Sequence, residues 1–282
     1  MAVDVRPVVS GPTTVLYPLR NRLVEVRRVT RLTPRMVRVT LGGEEMAGFQ
    51  DGQAGSPDDH VKLCFPAPGA DLPVLPVVRP DDLGEQDPNG PLPILRDYTV
   101  RAWRPERLEI DVDMVLHGHG IATTWAREAR PGKVIGVLGP RGSVHYTGDY
   151  PWYLLGADET GLPALARRLA ELPAGVPTFV FVQVAGPAEE QELTSAADVS
   201  LTWLHHGPAP AGAGSPLEAA VRALTLPPGE GLVWFAGEAT MLRPIRRYLR
   251  RELGLPKERV DVDGYWRRGV IELDHQEAVG ED

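Results

Sequence analysis

The sequence predicts two folded parts, an antiparallel six-stranded β-barrel followed by an α/β part with a parallel sheet. Before residue 150, short segments alternate apolar and polar residues with almost no helical pattern between them, which is typical of antiparallel strands that close into a small barrel. After residue 150, short apolar runs alternate with helical patterns, which indicates a parallel sheet covered by helices on both faces. At 282 residues the chain is long enough for two cores.

Six strands are predicted in the first part. Alternation over residues 23–41, broken at Thr33-Pro34, predicts two of them. The other four are residues 60–65, 96–103, 108–116 and 133–138. Within this part, residues 66–95 form a long excursion with eight prolines. Connections of this length are either functional, as lids are, or mobile surface loops, and the sequence leaves both possibilities open.

The second part begins near residues 148–151, where the rhythm of the sequence changes. The predicted strands are 152–155, 178–184, 200–204 and 232–235, and the predicted helices are 162–172, 216–224 and 240–253. Residues 1–20 carry little periodic pattern and are expected to be a flexible arm, and residues 273–282 a C-terminal tail. The predicted domains are therefore residues 21–149 and 150–272.

Composition excludes several classes of protein. A net charge of −8 and a pI near 5.4 argue against a general nucleic-acid surface, which needs clustered positive charge. The start shows no signal-peptide pattern, and no apolar run reaches the roughly 20 residues of a membrane span. We therefore expect a cytoplasmic protein without membrane insertion, most simply a monomer.

The single cysteine, Cys64, lies in an apolar alternation and is expected to be a small packed residue. One cysteine excludes an intrachain disulfide and a cysteine-ligated iron–sulfur cluster, and no Cys/His cluster predicts a metal site. Any redox chemistry of this chain would therefore need a bound cofactor.

The pattern Arg96-Asp97-Tyr98-Thr99, followed by a glycine-rich turn at residues 117–125, indicates such a cofactor. The strand offers a guanidinium for phosphate, an aromatic ring for stacking on a flavin and a hydroxyl for the edge of the flavin. The turn opens a helix, whose unpaired amides suit a pyrophosphate. Either pattern alone is common, but in this order they predict a site for FAD.

Small-residue turns end two strands of the second part. Asp158, Glu159 and Thr160 follow the first strand, and Gly237 and Glu238 follow the last one predicted. Ligands of open parallel sheets bind outside the carboxyl ends of the strands, so this edge is the predicted nucleotide site. The alternative is that Asp158 and Thr160 cap the next helix. The Gly-x-Gly-x-x-Gly fingerprint is absent.

Cationic residues are candidates for an anionic ligand. Lys62 interrupts an apolar strand, and the segment Gly264-Tyr265-Trp266-Arg267-Arg268 joins aromatic and cationic groups, which suits stacking or closure over an anion. The alternative for this segment is a packed aromatic with exposed arginines. An arginine run in the last helix, at positions 243, 247, 250 and 251, is either a solvated face or a recognition surface.

These motifs, in this order, resemble the siderophore-interacting protein family, the flavin-dependent ferric-siderophore reductases with ferredoxin-reductase architecture. The resemblance covers about residues 22–270 and is carried by Asp59-His60-Val61-Lys62-Leu63, Arg96-Asp97-Tyr98-Thr99, His117-Gly118-His119-Gly120, Gly139-Pro140-Arg141-Gly142, Asp158-Glu159-Thr160, Ala236-Gly237-Glu238 and Gly264-Tyr265-Trp266-Arg267. Departures are Ile121, Thr123 and Gly161, where the family commonly has Pro, Ser and Ala.

The resemblance implies a barrel that binds FAD and a Rossmann-like parallel-sheet domain that binds NADH or NADPH. It implies FAD contacts at Arg96, Asp97, Tyr98, Thr99, Asp113, His117, Gly120, Ala122, Thr123 and Thr124. It implies nicotinamide-dinucleotide contacts at Asp158, Glu159, Thr160, Gly237, Glu238, Tyr265 and Trp266. It implies a basic cluster for a ferric siderophore at Lys62, Arg141, Arg267 and Arg268. No residue is assigned a catalytic proton or a metal.

The expected activity is the reduction of Fe(III) in a ferric siderophore by NADH or NADPH through FAD. One alternative is a general flavin reductase or electron-transfer protein of the same fold, and another is a module that binds chelate or flavin without turnover. The sequence leaves the siderophore and the choice of nicotinamide open, although Glu189, Glu190 and Glu192 would disfavour a 2′-phosphate if they lie close to it.

Overall fold

The computed structural model describes residues 12–270, apart from 53–54, 80–81, 119, 147 and 208–214. In the first part, the sequence folds into nine strands and one helix within this range. They are β1 (Thr13–Leu16), β2 (Asn21–Thr33), β3 (Met36–Gly42), β4 (His60–Phe65), β5 (Ile94–Thr99), β6 (Ala102–Arg104), β7 (Glu109–Val115), α1 (Ile121–Arg127), β8 (Val134–Leu138) and β9 (Gly142–His145). Each predicted barrel strand is present.

Seven of these strands form one antiparallel sheet in the order β5-β4-β8-β2-β3-β7-β6. The two edge strands, β5 and β6, are separated in the chain by only Val100 and Arg101. Val100 donates its amide to the Asp59 carbonyl on one side, and Arg101 donates to the Asp111 carbonyl on the other. The sheet thus closes on itself through one bent segment, which the prediction counted as a single strand when it expected six.

The second part contains a parallel sheet of five strands in the order β12-β11-β10-β13-β14. Its elements are β10 (Tyr153–Asp158), α2 (Leu162–Glu171), β11 (Pro177–Val184), β12 (Asp198–His205), α3 (Pro216–Ala223), β13 (Leu232–Glu238), α4 (Ala239–Arg247) and β14 (Val260–Trp266). A π-helical turn, Tyr248–Glu252, continues α4. The four strands and three helices predicted here are confirmed, and β14 adds a fifth strand.

The cores follow from the periodicity of the strands. Alternate residues of the barrel strands point inwards and form one apolar cluster, which includes Leu41, Leu63 and Ile110. The parallel sheet packs one cluster on each face, because its central strands are apolar on both sides. Cys64 is fully buried, as expected for a packed residue, and burial raises the pKa of its thiol to about 11.

Two segments outside the predicted strands are attached to the barrel. Within the predicted arm, β1 pairs with β9, so this part is a strand rather than a flexible segment, and residues 1–11 lie outside the described residues, as does the predicted tail 273–282. In the excursion at 66–95, Val78 and Leu83 form an isolated antiparallel bridge. Its middle is tied down by a hydrogen bond of 2.6 Å from Asn21 Nδ2 to the Pro76 carbonyl.

The arginine run of the last helix faces outwards. Arg243, Arg247 and Arg251 are exposed, whereas Met241 and Ile245 on the opposite face are buried against the sheet. This placement agrees with the interpretation as a solvated face. In the part of the chain that the structure describes, no helix is both long and apolar enough to cross a membrane.

Candidate functional site

Strand β5 presents the first motif at the edge where the barrel closes. Tyr98 lies opposite Val61 of β4 and Arg96 lies opposite Leu63, so the ring and the guanidinium share one face. The Tyr98 ring is only partly buried and packs edge-on against Phe65, with ring centroids 6.3 Å apart. Desolvation raises the pKa of Tyr98, so its hydroxyl stays protonated and can act as a donor.

Helix α1 begins with unsatisfied backbone donors. Its N-cap residue is Gly120, and no side chain caps this end of the helix, so the first amides are available to an anion. The approach is open, because a Cβ built on Gly118 or Gly120 would meet no atom within 4 Å, and Gly118 has a φ of +39°. His119 lies outside the described residues.

One aromatic ring joins the strand motif to the turn motif. Phe65 contacts Tyr98 as described and also contacts Trp125 of α1, with centroids 5.6 Å apart and an interplanar angle of 80°. The sequence separates these patterns by about twenty positions, and the fold places both against a single side chain. A partly exposed aromatic ring suits stacking on a flavin, and a guanidinium and an uncapped helix end suit its phosphates. The residues therefore fit FAD.

Asp113 is placed differently from its predicted contact with the flavin. Its carboxylate accepts two hydrogen bonds from Arg38, with distances of 2.6 Å to Nε and 2.7 Å to Nη2, and Arg101 Nε lies 3.9 Å away. His117, by contrast, is exposed. Asp113 is therefore held as half of an ion pair, and the sequence did not indicate Arg38 as its partner.

A cavity of about 340 Å³ lies between the barrel and the second part, next to this ion pair. Arg38, Arg101 and Asp113 line its barrel side. The opposite side is formed by the start of α2 and by the segment 190–193, which includes Glu190 and Glu192. The cleft between the two parts is therefore polar and carries charges of both signs.

Asp158, at the end of β10, is the hydrogen-bonding centre of the predicted nucleotide edge. One carboxylate oxygen accepts from the amides of Thr160 and Gly161 and from the Thr160 hydroxyl, at 2.8, 3.2 and 2.6 Å. The other accepts from the Glu238 amide at 2.9 Å and from Trp266 Nε1 at 2.8 Å. The side chain is buried. Its oxygens thus hold the turn before α2 rather than cap the helix, since α2 has no side-chain cap at its N-terminus. Contact of this edge with a nucleotide stays a prediction.

The same edge is tightly packed around glycines. A Cβ on Gly161 would lie 2.5 Å from the Ala236 carbonyl oxygen, and one on Gly237 would lie 2.7 Å from the Asp158 carboxyl carbon. Glu238 is buried and caps α4 through a hydrogen bond of 2.7 Å from the Met241 amide. Like Asp158, Glu238 is a structural residue of this edge. At position 161, where the family commonly has alanine, this chain has a glycine because a side chain would clash with Ala236.

Glu159 is the carboxylate of this edge that faces a second titratable group. Its Oε1 atom lies 3.2 Å from Nε2 of His206, which follows the end of β12. Burial, with the neighbouring Asp158 charge, raises the pKa of Glu159. The pair therefore spans the carboxyl ends of two strands, β10 and β12, where a nucleotide would lie.

The aromatic tail belongs to the same edge. Tyr265 is partly buried against the core of the parallel sheet, and Trp266 donates its indole N–H to Asp158 as described. Arg267 and Arg268 are exposed, and the Arg268 amide donates to Glu238 at 3.3 Å. This arrangement is the alternative in which packed aromatics carry exposed arginines, and Arg267 directly follows the end of β14.

Two of the predicted substrate cations have protein partners. Lys62 Nζ lies 2.9 and 2.8 Å from the two oxygens of Asp97, its cross-strand neighbour. Arg141 donates through Nη1 to the Tyr17 carbonyl at 3.0 Å. Asp97 therefore contacts Lys62, on the face of β5 opposite to Tyr98.

A buried charge cluster between the two parts was not predicted. Arg168 of α2 is buried and donates to Asp58, before β4, at 2.5 Å. Its guanidinium lies 5.1 Å from the ring centroid of Trp234 and 5.6 Å from that of Tyr146. Tyr146 donates a hydrogen bond to Asp261. The cluster joins the barrel to both α2 and β14. The sequence identified Arg168 only as a polar residue of a predicted helix.

Asp261→Asn is expected to alter the pH dependence of stability. Burial, followed by the nearby charges of Asp263 and Asp58, raises the pKa of Asp261 from 3.8 to about 7, against the lowering effects of Tyr146 and Arg168. Because the pKa of Asp261 is higher in the folded than in the unfolded protein, the protonated carboxyl stabilises the fold. This contribution is complete at pH values below the unfolded-state pKa and is lost as the pH rises through the folded-state pKa of about 7.

The amide of the variant has no proton to lose. Asp261→Asn should therefore exceed the wild type in unfolding free energy at pH 8 by up to about 4 kcal/mol, since the pKa shift from 3.8 to about 7 spans about three units of about 1.4 kcal/mol each. Urea denaturation at pH 5 and pH 8 measures the difference, with the exposed Asp198→Asn as control. Equal pH profiles for wild type and Asp261→Asn would contradict the assignment.

Comparison with known proteins gives a consistent set of similarities. The family model described as siderophore-interacting FAD-binding domain matches residues 25–144, and the model described as siderophore-interacting protein matches residues 150–269. The chain is similar in structure to a siderophore utilization protein from T. fusca, with a TM-score of 0.86 and 46% identity, covering 94% of this chain and 99% of that one.

Two curated relatives have named activities. The NADPH-dependent ferric-chelate reductase of Escherichia coli is 33% identical over 258 residues, covering 90% of this chain and 96% of the relative. The ferric vibriobactin reductase of Vibrio cholerae is 31% identical over 272 residues, covering 95% of this chain and 96% of the relative. The similarity therefore extends over both parts of the fold.

Proposed function

Because this chain belongs to the siderophore-interacting protein family, we propose that it is an oxidoreductase that uses NADH or NADPH and FAD to reduce Fe(III) in ferric siderophores. The observation that carries the proposal is the convergence of Tyr98 and the helix α1 on Phe65. This contact supports the proposal because the ring that would stack on the flavin and the helix that would bind the pyrophosphate pack against the same side chain.

The residues of the barrel would hold FAD. Arg96 would bind its phosphate, Tyr98 would stack on its ring system, and Thr99 would donate to the ring edge. The amides at the start of α1, with Gly120, Ala122, Thr123 and Thr124, would bind the pyrophosphate. When bound, FAD supplies the chemistry of accepting a hydride and releasing electrons one at a time.

The edge of the parallel sheet would receive the reduced nicotinamide. Asp158 and Glu238 hold the turns in place, and Glu159, Thr160 and the start of α2 are the groups that would contact the dinucleotide. Glu190 and Glu192 line the adjoining cavity, and Glu189 accepts from Thr33 and Arg35 of the barrel. Carboxylates near a 2′-phosphate weaken binding of NADPH, so both donors belong in the assay.

The ferric chelate would bind near Lys62, Arg141 and Arg267. The protein needs to supply position and charge rather than iron ligands, because oxygen-donor chelators hold Fe(II) less tightly than Fe(III), and the iron leaves after reduction. Each nicotinamide carries two electrons, enough for two Fe(III) ions, and releases one proton as its hydride electrons are used.

We also propose the assignment of functions to the two parts of the chain. Residues 21–149 would form the FAD-binding domain and residues 150–272 the NAD(P)H-binding domain. The reaction would take place in the cytoplasm, where reduced nicotinamides are available, and the chain would act as a monomer. Arg168 contacts Asp58 of the barrel and Trp234 of the second part, which supports a functional unit formed by a single chain.

Steady-state kinetics test this function. Under anaerobic conditions with an Fe(II)-binding dye, the purified protein should form Fe(II) from a ferric siderophore with saturation kinetics when NADH or NADPH is supplied. Free flavin and a quinone serve as competing acceptors. Faster saturable reduction of free flavin or quinone would indicate a general flavin reductase instead, and the absence of turnover with every acceptor would indicate a binding module.

A further inference from the structure

Four neighbouring strands place their outward residues in one row beside the proposed substrate site. Register pairs Asn21 of β2 with Leu138 of β8, Leu138 with Lys62 of β4, and Lys62 with Asp97 of β5. Directly opposed residues share a face of the sheet. Thr99, two positions beyond Asp97, lies on this face as well, so the row adjoins the hydroxyl assigned to the flavin edge.

Within this row, the ammonium of Lys62 is matched by a carboxylate. Both oxygens of Asp97 lie within 2.9 Å of Nζ. The Lys62 side chain is 41% exposed, whereas that of Asp97 is 19% exposed. Asp97 is therefore close enough to offset most of the charge that Lys62 presents to a ligand approaching from solvent.

The excursion at 66–95 borders the row. The excursion at 66–95 is fastened to Asn21 through Pro76, and Cys64, on the same outward face as Lys62, donates to the Val74 carbonyl at 2.8 Å. This excursion carries exposed large apolar side chains, which are Leu72, Val77, Leu83 and Leu92. The excursion therefore offers apolar side chains to solvent on the connection that is fastened to the row.

We propose that Asp97 is a specificity-determining residue that sets the charge of the substrate site. By pairing with Lys62, it makes the site favour ferric chelates of low net charge with apolar surface, and disfavour highly anionic chelates. The neutral pair and the apolar excursion act in the same direction, since both match a weakly charged, partly apolar ligand. This inference rests on the proposed function, because it specifies the substrate class of that site.

The test compares Asp97→Asn with the wild type on two probes, an uncharged tris-hydroxamate chelate and a trianionic tris-catecholate chelate. Binding is measured with the redox-inert Ga(III) complexes by quenching of tryptophan fluorescence, and reduction with the Fe(III) complexes. Removing the carboxylate should tighten binding of the trianionic Ga(III) chelate about fivefold, or about 1 kcal/mol. Binding of the uncharged chelate should change less than about twofold.

The matched control is Glu128→Gln. Glu128 pairs with Lys133 at 3.4 Å on the barrel and is 63% exposed, so this variant removes the same charge from a surface pair outside the row. It should leave the ratio of the two affinities unchanged. The Asp97→Asn effect should also weaken as salt is added, because partly exposed charges are screened, and flavin absorbance reports whether the cofactor site is intact.

The outcomes separate this inference from the proposed function. A selective, salt-sensitive gain for the trianionic Ga(III) chelate in Asp97→Asn supports the inference. An unchanged ratio, an equal change in Glu128→Gln, or no binding of either Ga(III) chelate overturns it. If Ga(III) chelates bind as expected but neither Fe(III) chelate is reduced while the nicotinamide reduces the flavin, the proposed function fails and the inference about Asp97 stands.

Discussion

Arg96→Ala should lower the affinity for FAD by roughly 10- to 100-fold, because hydrogen bonds from a guanidinium to a phosphate contribute about 1.5–3 kcal/mol. The residue shares a face of β5 with Tyr98 and lies opposite Leu63, so its loss removes the phosphate contact without changing the stacking ring. The measurement is titration of the flavin-free protein with FAD, followed by flavin fluorescence, together with the flavin content of the purified protein.

Two further variants sharpen this result. Arg96→Lys keeps the charge but not the two-pronged geometry, and should give an intermediate affinity. Arg107→Ala removes an exposed arginine from a turn of the same barrel, 3.3 Å from Glu109, and should bind FAD as the wild type does. Wild-type affinity in Arg96→Ala would show that β5 does not bind the phosphate and would remove one support of the proposed site.

Arg168→Leu should destabilise the protein by about 3–5 kcal/mol, the usual cost of removing one member of a buried ion pair. The substitution leaves Asp58 without its guanidinium and removes the contacts of that cation with Trp234 and Tyr146. Because the cluster joins the barrel to α2 and β14, the loss should affect the contact between the two parts. Urea denaturation followed by tryptophan fluorescence measures the change.

The double variant Arg168→Leu with Asp58→Asn identifies the cause. Neutralising the stranded carboxylate should recover part of the lost stability, whereas a purely steric effect of leucine would not be rescued. Arg243→Leu, at an exposed position of α4, should change stability by less than about 0.5 kcal/mol. A loss below about 1 kcal/mol in Arg168→Leu would contradict the role assigned to the cluster.

The strands that could be predicted from the sequence are those whose periodicity is local. Alternation defined β2, β3, β4 and β7, and apolar runs defined β10 to β13. Strand β1 was not predicted because Thr13–Leu16 is largely exposed and shows no apolar face. The bounds of strand β14 could not be predicted because it is an edge strand with Asp261 and Asp263 among its valines, whereas buried parallel strands are usually continuous apolar runs.

The sequence predicted less of the candidate site than of the fold, because a motif identifies residues but not the residues that they contact. The positions of Arg96, Tyr98 and the α1 turn follow from linear patterns, since each lies on one continuous element. The hydrogen bonds that occupy Asp158 come from three different strand ends, and the pairing of Lys62 with Asp97 depends on strand register. Neither kind of contact leaves a pattern in the sequence.

Arg168 illustrates the same limit from another direction. On α2 it follows Arg167 and looks like the polar side of an amphipathic helix. Its burial follows from the docking of the barrel loop that carries Asp58, which lies 110 positions away in the chain. A tertiary contact of this kind decides which of two adjacent arginines becomes structural, and sequence periodicity contains no information about it.

Anaerobic double mixing tests electron transfer through the flavin: the purified protein is mixed first with NADH or NADPH and then with a ferric siderophore, while flavin absorbance is recorded. The nicotinamide should abolish the oxidised-flavin absorbance and the ferric chelate should restore it, with two Fe(II) formed for each nicotinamide oxidised. Protein that carries no flavin, absorbance that neither nicotinamide changes, or bleached absorbance that the ferric chelate does not restore would contradict electron transfer through the flavin.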